Sequence, residues 1–276
     1  DAGATKTNEN CFDTKGWSPI GNADALFTGS YNGQGYTISN LYIDRTSSLG
    51  VGLFGWVENA NISNLELSNG EVRGQGRTAL IIGRADDSSL SGLSASGTAY
   101  GADLGYSQVG GIVGYLVASD VSESYSSVTI DSNGGSLGSL VGYSTFDSDS
   151  GNGSSITNSY ATGAVTSQND SDFVGGLTGG LANSSVTNSY ATGAVTSAAS
   201  SNVGGLVGGD NGTSGGSSVT NSFYDTETSG LNVNAIGGSG KTTAELKTRS
   251  TFTTDLGEEA WDFENIWSID EAGDPA

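Results

Sequence analysis

The sequence predicts an all-β protein: a parallel β-solenoid of about six coils, with N- and C-terminal caps and a short helix in the C-terminal cap. Three observations predict it. A short apolar signature ending in glycine recurs six times, closing on Gly55, Gly83, Gly114, Gly142, Gly179 and Gly208, at intervals of 28, 31, 28, 37 and 29 residues. Between these glycines lie short β-branched or apolar segments separated by Gly, Asn, Ser and Asp, which reads as strand and turn in alternation. No segment before Gly240 carries the apolar period of a helix. A propeller blade needs about 40–45 residues for its four strands, so units near 28 residues favour stacked coils.

The elements follow in chain order, within a single domain spanning 1–276. Residues 1–48 read as the N-terminal cap and first coil, through Trp17-Ser18-Pro19-Ile20-Gly21 and the run from Phe27 to Ile43. Residues 49–240 hold the repeats. Val-Gly-Gly-Leu-x-Gly stands at 174–179 and 203–208, with weaker versions upstream. A second signature, 156–167, recurs at 186–197 with only its first residue changed, Ile156 against Val186. Aligned on that residue, the next position is Ser63, Ser91, Ser122, Thr157, Thr187 and Thr220, and the one after holds Asn64, Asn158, Asn188 and Asn221. The fifth position of the signature is aromatic in four consecutive units: Tyr125, Tyr160, Tyr190 and Phe223. At a strand spacing of about 4.8 Å such columns become ladders, and simple alternation from Ile156 and Val186 places the aromatic column inside. Glycine supplies left-handed corners or close backbone approach, and the Gly-Gly pairs before Leu or Ile are the candidates for corners. Two units carry insertions at one point, 146–153 and 211–216, as loops on one corner of a stack. Residues 241–276 form the C-terminal cap. Thr242 and Glu245 have the form of a capping box opening a helix over about 243–250. Residues 261–269 alternate as a strand, with Trp261, Phe263, Asn265, Trp267 and Ile269 on one face.

Composition excludes several functions. The 276 residues include 30 acidic and 9 basic side chains, a net charge of −21, with 45 Gly, one Cys and no His. Without His there is no Ser-His-Asp triad and no HExxH zinc site. One cysteine excludes a disulfide framework and a thiolate cluster. Nine basic residues against thirty acids exclude nucleic acid as a partner, because phosphates need Lys and Arg. No apolar run approaches the roughly 20 residues of a membrane helix, so membrane insertion is not expected.

Candidate chemistry is sparse. Asp147, Asp149 and Asn152 in the first insertion offer hard oxygen ligands and are the candidate Ca²⁺ site, although Gly151 and the lack of a closing Glu set the loop apart from an EF-hand. Paired carboxylates could serve a glycosidase; Asp86, Asp87, Asp103, Asp120 and Asp131 are candidates without a distinguishing pattern. Arg73, Arg77 and Arg84 form the one basic group in the first coils. Thr157, Thr187 and Thr220 beside Ser159, Ser189 and Ser222 could form a flat water-ordering Thr-x-Ser array. Cys11 reads as an unpaired structural thiol, since no imidazole is present to activate it.

The chain resembles a known family. Its Val-Gly-Gly-Leu-x-Gly repeats followed by Ile/Val-Thr-Asn-Ser-Tyr resemble the GLUG-motif repeats of large bacterial surface proteins. The opening Trp17-Ser18-Pro19-Ile20-Gly21, and the closing stretch from Phe223 through Gly240-Lys241-Thr242-Thr243-Ala244-Glu245-Leu246-Lys247 to Trp261-Asp262-Phe263, fit the same family. The resemblance implies a secreted or cell-surface β-solenoid, bacterial or archaeal, of the kind found in adhesins and filamentous-haemagglutinin-like proteins. It carries no catalytic motif. The expected function is a non-catalytic extracellular adhesin or binding module that presents a rigid surface to glycan, to protein or to its own copies. The alternatives are a polysaccharide-active enzyme on a β-helix and a self-assembling filament subunit.

Overall fold

A computed structural model of the chain describes residues 14–102, 107–168, 173–198, 202–212, 216–233, 235–253, 256 and 261–269. Strand ladders among them are parallel and pair each unit with the next. They form a 20-stranded sheet that wraps several sides of the coils and a six-stranded sheet on another. The six strands are Phe54–Glu58, Ile82–Asp86, Val113–Val117, Val141–Thr145, Thr178–Leu181 and Val207–Asp210. They give one rung for each closing glycine, so the solenoid has about six coils, as the repeat predicts.

The core is a set of columns running along the stack. Ile62, Leu90, Val121, Ile156 and Val186 stand in register and are fully buried. Leu80, Ile112, Leu140, Leu177 and Leu206 fill a second column. β-branched residues suit such strands because their restricted χ1 costs little there, and each fully buried side chain contributes about 1.5–3 kcal/mol.

Glycine and asparagine divide the corner work differently from the sequence expectation. None of the Gly-Gly pairs before Leu or Ile, at 110–111, 175–176 and 204–205, adopts positive φ. They and the closing glycines serve close approach: a Cβ on Gly179 would lie 2.4 Å from the Leu137 backbone nitrogen. The left-handed corner belongs to Asn64, Asn158, Asn188 and Asn221, with Gly92 and Glu123 at the same place in the other two units. Asn tolerates this region better than most side chains.

Directly after this corner stands a buried serine. Ser159 Oγ donates to the Thr157 carbonyl of its own coil at 2.8 Å and accepts the Ser124 N–H of the preceding coil at 3.2 Å. Ser189 repeats this with Thr187 and Ser159, and Ser222 with Thr220 and Ser189. A second serine ladder runs through Ser88, Ser119, Ser154 and Ser184, again one N–H to one Oγ per coil. Here the first insertion keeps the register. Ser119 Oγ donates to Val117 two residues back, while Ser154 Oγ donates to Thr145 across the whole inserted loop.

The left-handed corner also reverses parity. Ile156 points inward, Asn158 turns the chain, Ser159 is buried, and Tyr160 then faces outward with Ala161 beneath it. The aromatic column is therefore on the outside, which corrects the expectation of core packing. The flat Thr-x-Ser array is absent for the same reason: the Thr hydroxyls face out, with Thr187 and Thr220 3.2 Å apart, but the serines are buried.

The C-terminal cap covers this outward column. The capping box forms as predicted and opens a shorter α-helix, Thr243–Leu246, followed by a 3-10 turn, Arg249–Phe252. Residues 261–269 are not a strand. Asp262 accepts the Glu264 and Asn265 N–H groups and closes a turn, which overrides the alternation. Trp261, Phe263, Trp267 and Ile269 still pack together, with Phe223, Phe252 and Tyr190. The Trp261 indole N–H donates to the Asn221 carbonyl at 3.0 Å, fixing the cap to a corner residue.

Two predictions follow from this architecture. Ser159→Ala or Ser189→Ala leaves a buried N–H unsatisfied and costs about 1–3 kcal/mol, whereas the outward Thr157→Ala stays within about 0.5 kcal/mol; urea denaturation midpoints check the difference. Acid acts on the cap. Hydrogen bonds from the Thr242 backbone and side chain hold the Glu245 carboxyl below its ordinary range, and Asn265 and Glu264 do the same for Asp262. Their contribution is complete above the ordinary carboxylate pKa of about 4 and is lost as pH falls through the lower folded values. Near-UV circular dichroism of the tryptophans should fade below about pH 4, and Asp262→Asn should weaken that pH dependence while lowering the melting temperature at pH 6.

Candidate functional site

Two outward features gather chemistry, and each is built from a column. The first is the tyrosine ladder. Tyr125 stacks on Tyr160 at 5.1 Å and 7°, and Tyr160 on Tyr190 at 5.0 Å and 3°. Tyr125 heads the stack and is 40% exposed, because the preceding rung carries Ser94 instead of a ring. The cap turn approaches from the side, with Trp267 6.2 Å from Tyr160 and 5.8 Å from Tyr190. Between ladder and turn lies a groove of about 350 Å³, lined by Tyr125, Tyr160, Trp267, Glu123, Asn158 and Asn265. It offers ring surface together with a carboxylate and two amides. Burial pushes the Tyr160 and Tyr190 phenols up, so both stay neutral donors at physiological pH. A smaller cleft of about 220 Å³ lies at the far end of the ladder, against Trp261, Phe263, Lys247 and Asp225. The Asp225 carboxylate there is already engaged by Glu227 N–H, Thr228 N–H and Thr243 Oγ.

The second feature lies on the six-stranded sheet. The residue after each closing glycine points outward: Trp56, Arg84, Tyr115, Tyr143, Gly180 and Gly209 in successive coils. Tyr115 and Tyr143 stack at 5.9 Å and 8°. Phe173 fills the space over the two glycines; a Cβ on Gly209 would lie 2.1 Å from its ring. Two guanidinium groups occupy the gap between Trp56 and Tyr115. Arg84 lies 4.8 and 5.5 Å from the two ring centroids, and Arg77 lies 5.1 Å from each. Arg84 is bidentate to Asp86, at 2.6 and 2.5 Å. Arg77 makes no ion pair or side-chain hydrogen bond among the described residues, and its backbone stands at φ 45°. Burial and the neighbouring Arg84 lower the Arg77 pKa, whereas Asp86 outweighs burial for Arg84 and raises it.

The structure thus brings Arg77 and Arg84 together and sends Arg73 elsewhere, over the Tyr100 ring at 3.9 Å and 3.4 Å from Glu71. The acidic candidates disperse. Asp86 is taken by Arg84, Asp87 is a left-handed corner, Asp120 accepts the Ser155 hydroxyl, and Asp131 lies on another strand. Asp103 and Cys11 lie outside the described residues. Asp147, Asp149 and Asn152 sit together in the inserted loop. The Asp147 carboxylate accepts the Asp149 and Ser150 N–H groups, which hold it below the ordinary carboxylate range, and the Asn152 carbonyl accepts the Asp147 N–H. The outward stripe of Trp56, Tyr115 and Tyr143 was legible as the position following each closing glycine. The groove beside Glu123 and Trp267 was not, because it joins residues more than 140 positions apart.

Comparison with known proteins agrees with this architecture. The GLUG motif matches residues 105–131 and 174–196. A stretch of 137 residues, 49% of this chain, is 37% identical to Halomucin of Haloquadratum walsbyi and covers 2% of it. A stretch of 117 residues is 36% identical to a protein of Evansella cellulosilytica provisionally named a Gly-rich membrane protein, covering 42% of this chain and 13% of that one. The chain therefore spans a small part of the relatives it matches. The crystal structure of a Bacteroides ovatus protein, provisionally named an immunoglobulin A1 protease, superposes with a TM-score of 0.57 over 84% of this chain and 74% of its own, at 21% identity, which is a likeness of fold. The chain thus carries the GLUG motif in two stretches of a stack of parallel coils.

Proposed function

We propose that this chain is a non-catalytic binding module of an extracellular surface protein and that it engages glycan along the tyrosine ladder. The supporting observation is the groove beside Tyr125 and Tyr160, where ring surface and the polar groups of Glu123, Asn158 and Asn265 line one opening. Sugars present apolar C–H faces and hydroxyl edges, and aromatic rings with carboxylate and amide groups complement both. A rigid stack suits such work, since little ordering entropy is lost on binding. The similarity to Halomucin and to a Gly-rich membrane protein supports a place at the cell surface. No helix among the described residues is long and apolar enough to cross a membrane. The dispersal of the acidic candidates supports a module without turnover.

A panel of neutral oligosaccharides tests both parts. Binding by affinity electrophoresis should weaken about fivefold in Tyr125→Ala, the equivalent of about 1 kcal/mol for one ring contact, and reducing ends should not accumulate. Unchanged binding in that variant removes the ladder from the proposal. Turnover abolished by a single Asp→Asn change overturns the non-catalytic reading.

A further inference from the structure

We propose that the slot between Trp56 and Tyr115 binds an oxyanion carried on a saccharide, a uronate carboxylate or a sulfate ester, with Arg77 as its ligand. The inference is independent of the tyrosine ladder, which lies on the other sheet.

The pairing inside the slot carries it. Two guanidinium groups share one gap between two rings; Asp86 is bidentate to Arg84, Glu58 also acts on Arg84, and neither carboxylate makes a hydrogen bond or ion pair with Arg77. Arg77 is left as a half-buried cation next to a like charge. Such a group is unfavourable unless an anion completes it, and a planar guanidinium is suited to a forked pair of oxygens. With 30 acids against 9 bases carboxylates are plentiful, yet none among the described residues forms an ion pair or hydrogen bond with Arg77. Both rings of the slot flank the guanidinium, which restrains it without using its N–H donors.

The adjacent surface says what carries the anion. From Tyr115 the stripe continues through Tyr143 to Phe173, giving three rings in line with the slot. A bare inorganic ion would make no use of them, whereas sugar rings attached to the anion could lie on them. Nucleic acid and other dense polyanions are disfavoured by the net charge of −21. A saccharide with one charge among neutral rings meets both conditions, because charges beyond about 8 Å are largely screened at physiological salt.

Isothermal titration of the full chain separates the outcomes. The probes are a hyaluronan hexasaccharide with alternating uronates, a sulfated chondroitin hexasaccharide, neutral cellohexaose and inorganic sulfate. At least one acidic hexasaccharide should bind at least tenfold tighter than cellohexaose. Arg77→Gln should remove at least tenfold of that affinity while near-UV circular dichroism stays native, and Arg77→Lys should fall between. Asp86→Asn frees a second fork and should tighten binding several-fold; it decides the matter if Arg77→Gln does not fold. Equal binding of neutral and acidic hexasaccharides overturns the proposal, as does an unchanged affinity in folded Arg77→Gln. Inorganic sulfate matching the hexasaccharides means an adventitious ion only and overturns the saccharide. Tyr125→Ala should leave this binding intact, so failure here and failure of the ladder are read separately.

Discussion

The serine that follows each left-handed corner ties one coil to the next. Its hydroxyl has one proton and two lone pairs. In Ser159 the proton closes the Asn158 corner onto the Thr157 carbonyl, and a lone pair takes the N–H of Ser124 from the coil before. A lone coil could make the first bond and never the second, so the buried N–H groups are satisfied only by stacking. This makes each rung depend on its neighbour, as in other repeat proteins. The ladder also fixes the register, because a slip of one residue would put Ser159 opposite a residue without a hydroxyl at the same depth.

That corner decides which residues meet solvent. One left-handed residue shifts the inward-outward parity, so the strand before Asn158 buries Ile156 and the strand after it buries Ala161. Large rings cannot face a core that narrows to alanine, and Tyr125, Tyr160 and Tyr190 stack outside instead. The exposed stack then provides apolar surface for the C-terminal cap. Trp261 and Trp267 lie along the side of the last coils against Tyr190 and Phe223. On the other sheet the same logic gives rings where there is space and glycine where Phe173 already covers the rung.

Part of the acidity belongs to turns. Asp147, Asp210, Asp225 and Asp262 each accept backbone N–H groups at the start of a loop or helix. A chain of many corners and little helix needs many such groups, and Asp and Asn supply them. Both insertions use this device: Asp147 folds the first loop, and Asp210 binds Gly212 and Ser217 across the second. Scarce basic residues are then conspicuous by position, and Arg77 and Arg84 meet in one slot between two rings.

The sequence by itself determined the period, the parallel stacking, the columns of Ile, Val and Leu, the site of the insertions and the capping box at Thr242. These follow from repetition, since identical segments in register bury identical side chains, and from a local hydrogen-bond pattern complete within four residues. The position after each closing glycine also marks the outward stripe of Trp56, Tyr115 and Tyr143. What only the tertiary structure decided was direction. Strand periodicity gives two faces without naming the inner one; it fails across the left-handed corner, which turns the aromatic column outward, and it is overridden in 261–269 by the turn that Asp262 closes. The groove beside Trp267 and the slot around Arg77 bring together residues from different coils or from the cap. Their meeting depends on the stacking of coils and on how the cap docks, and no local pattern records either.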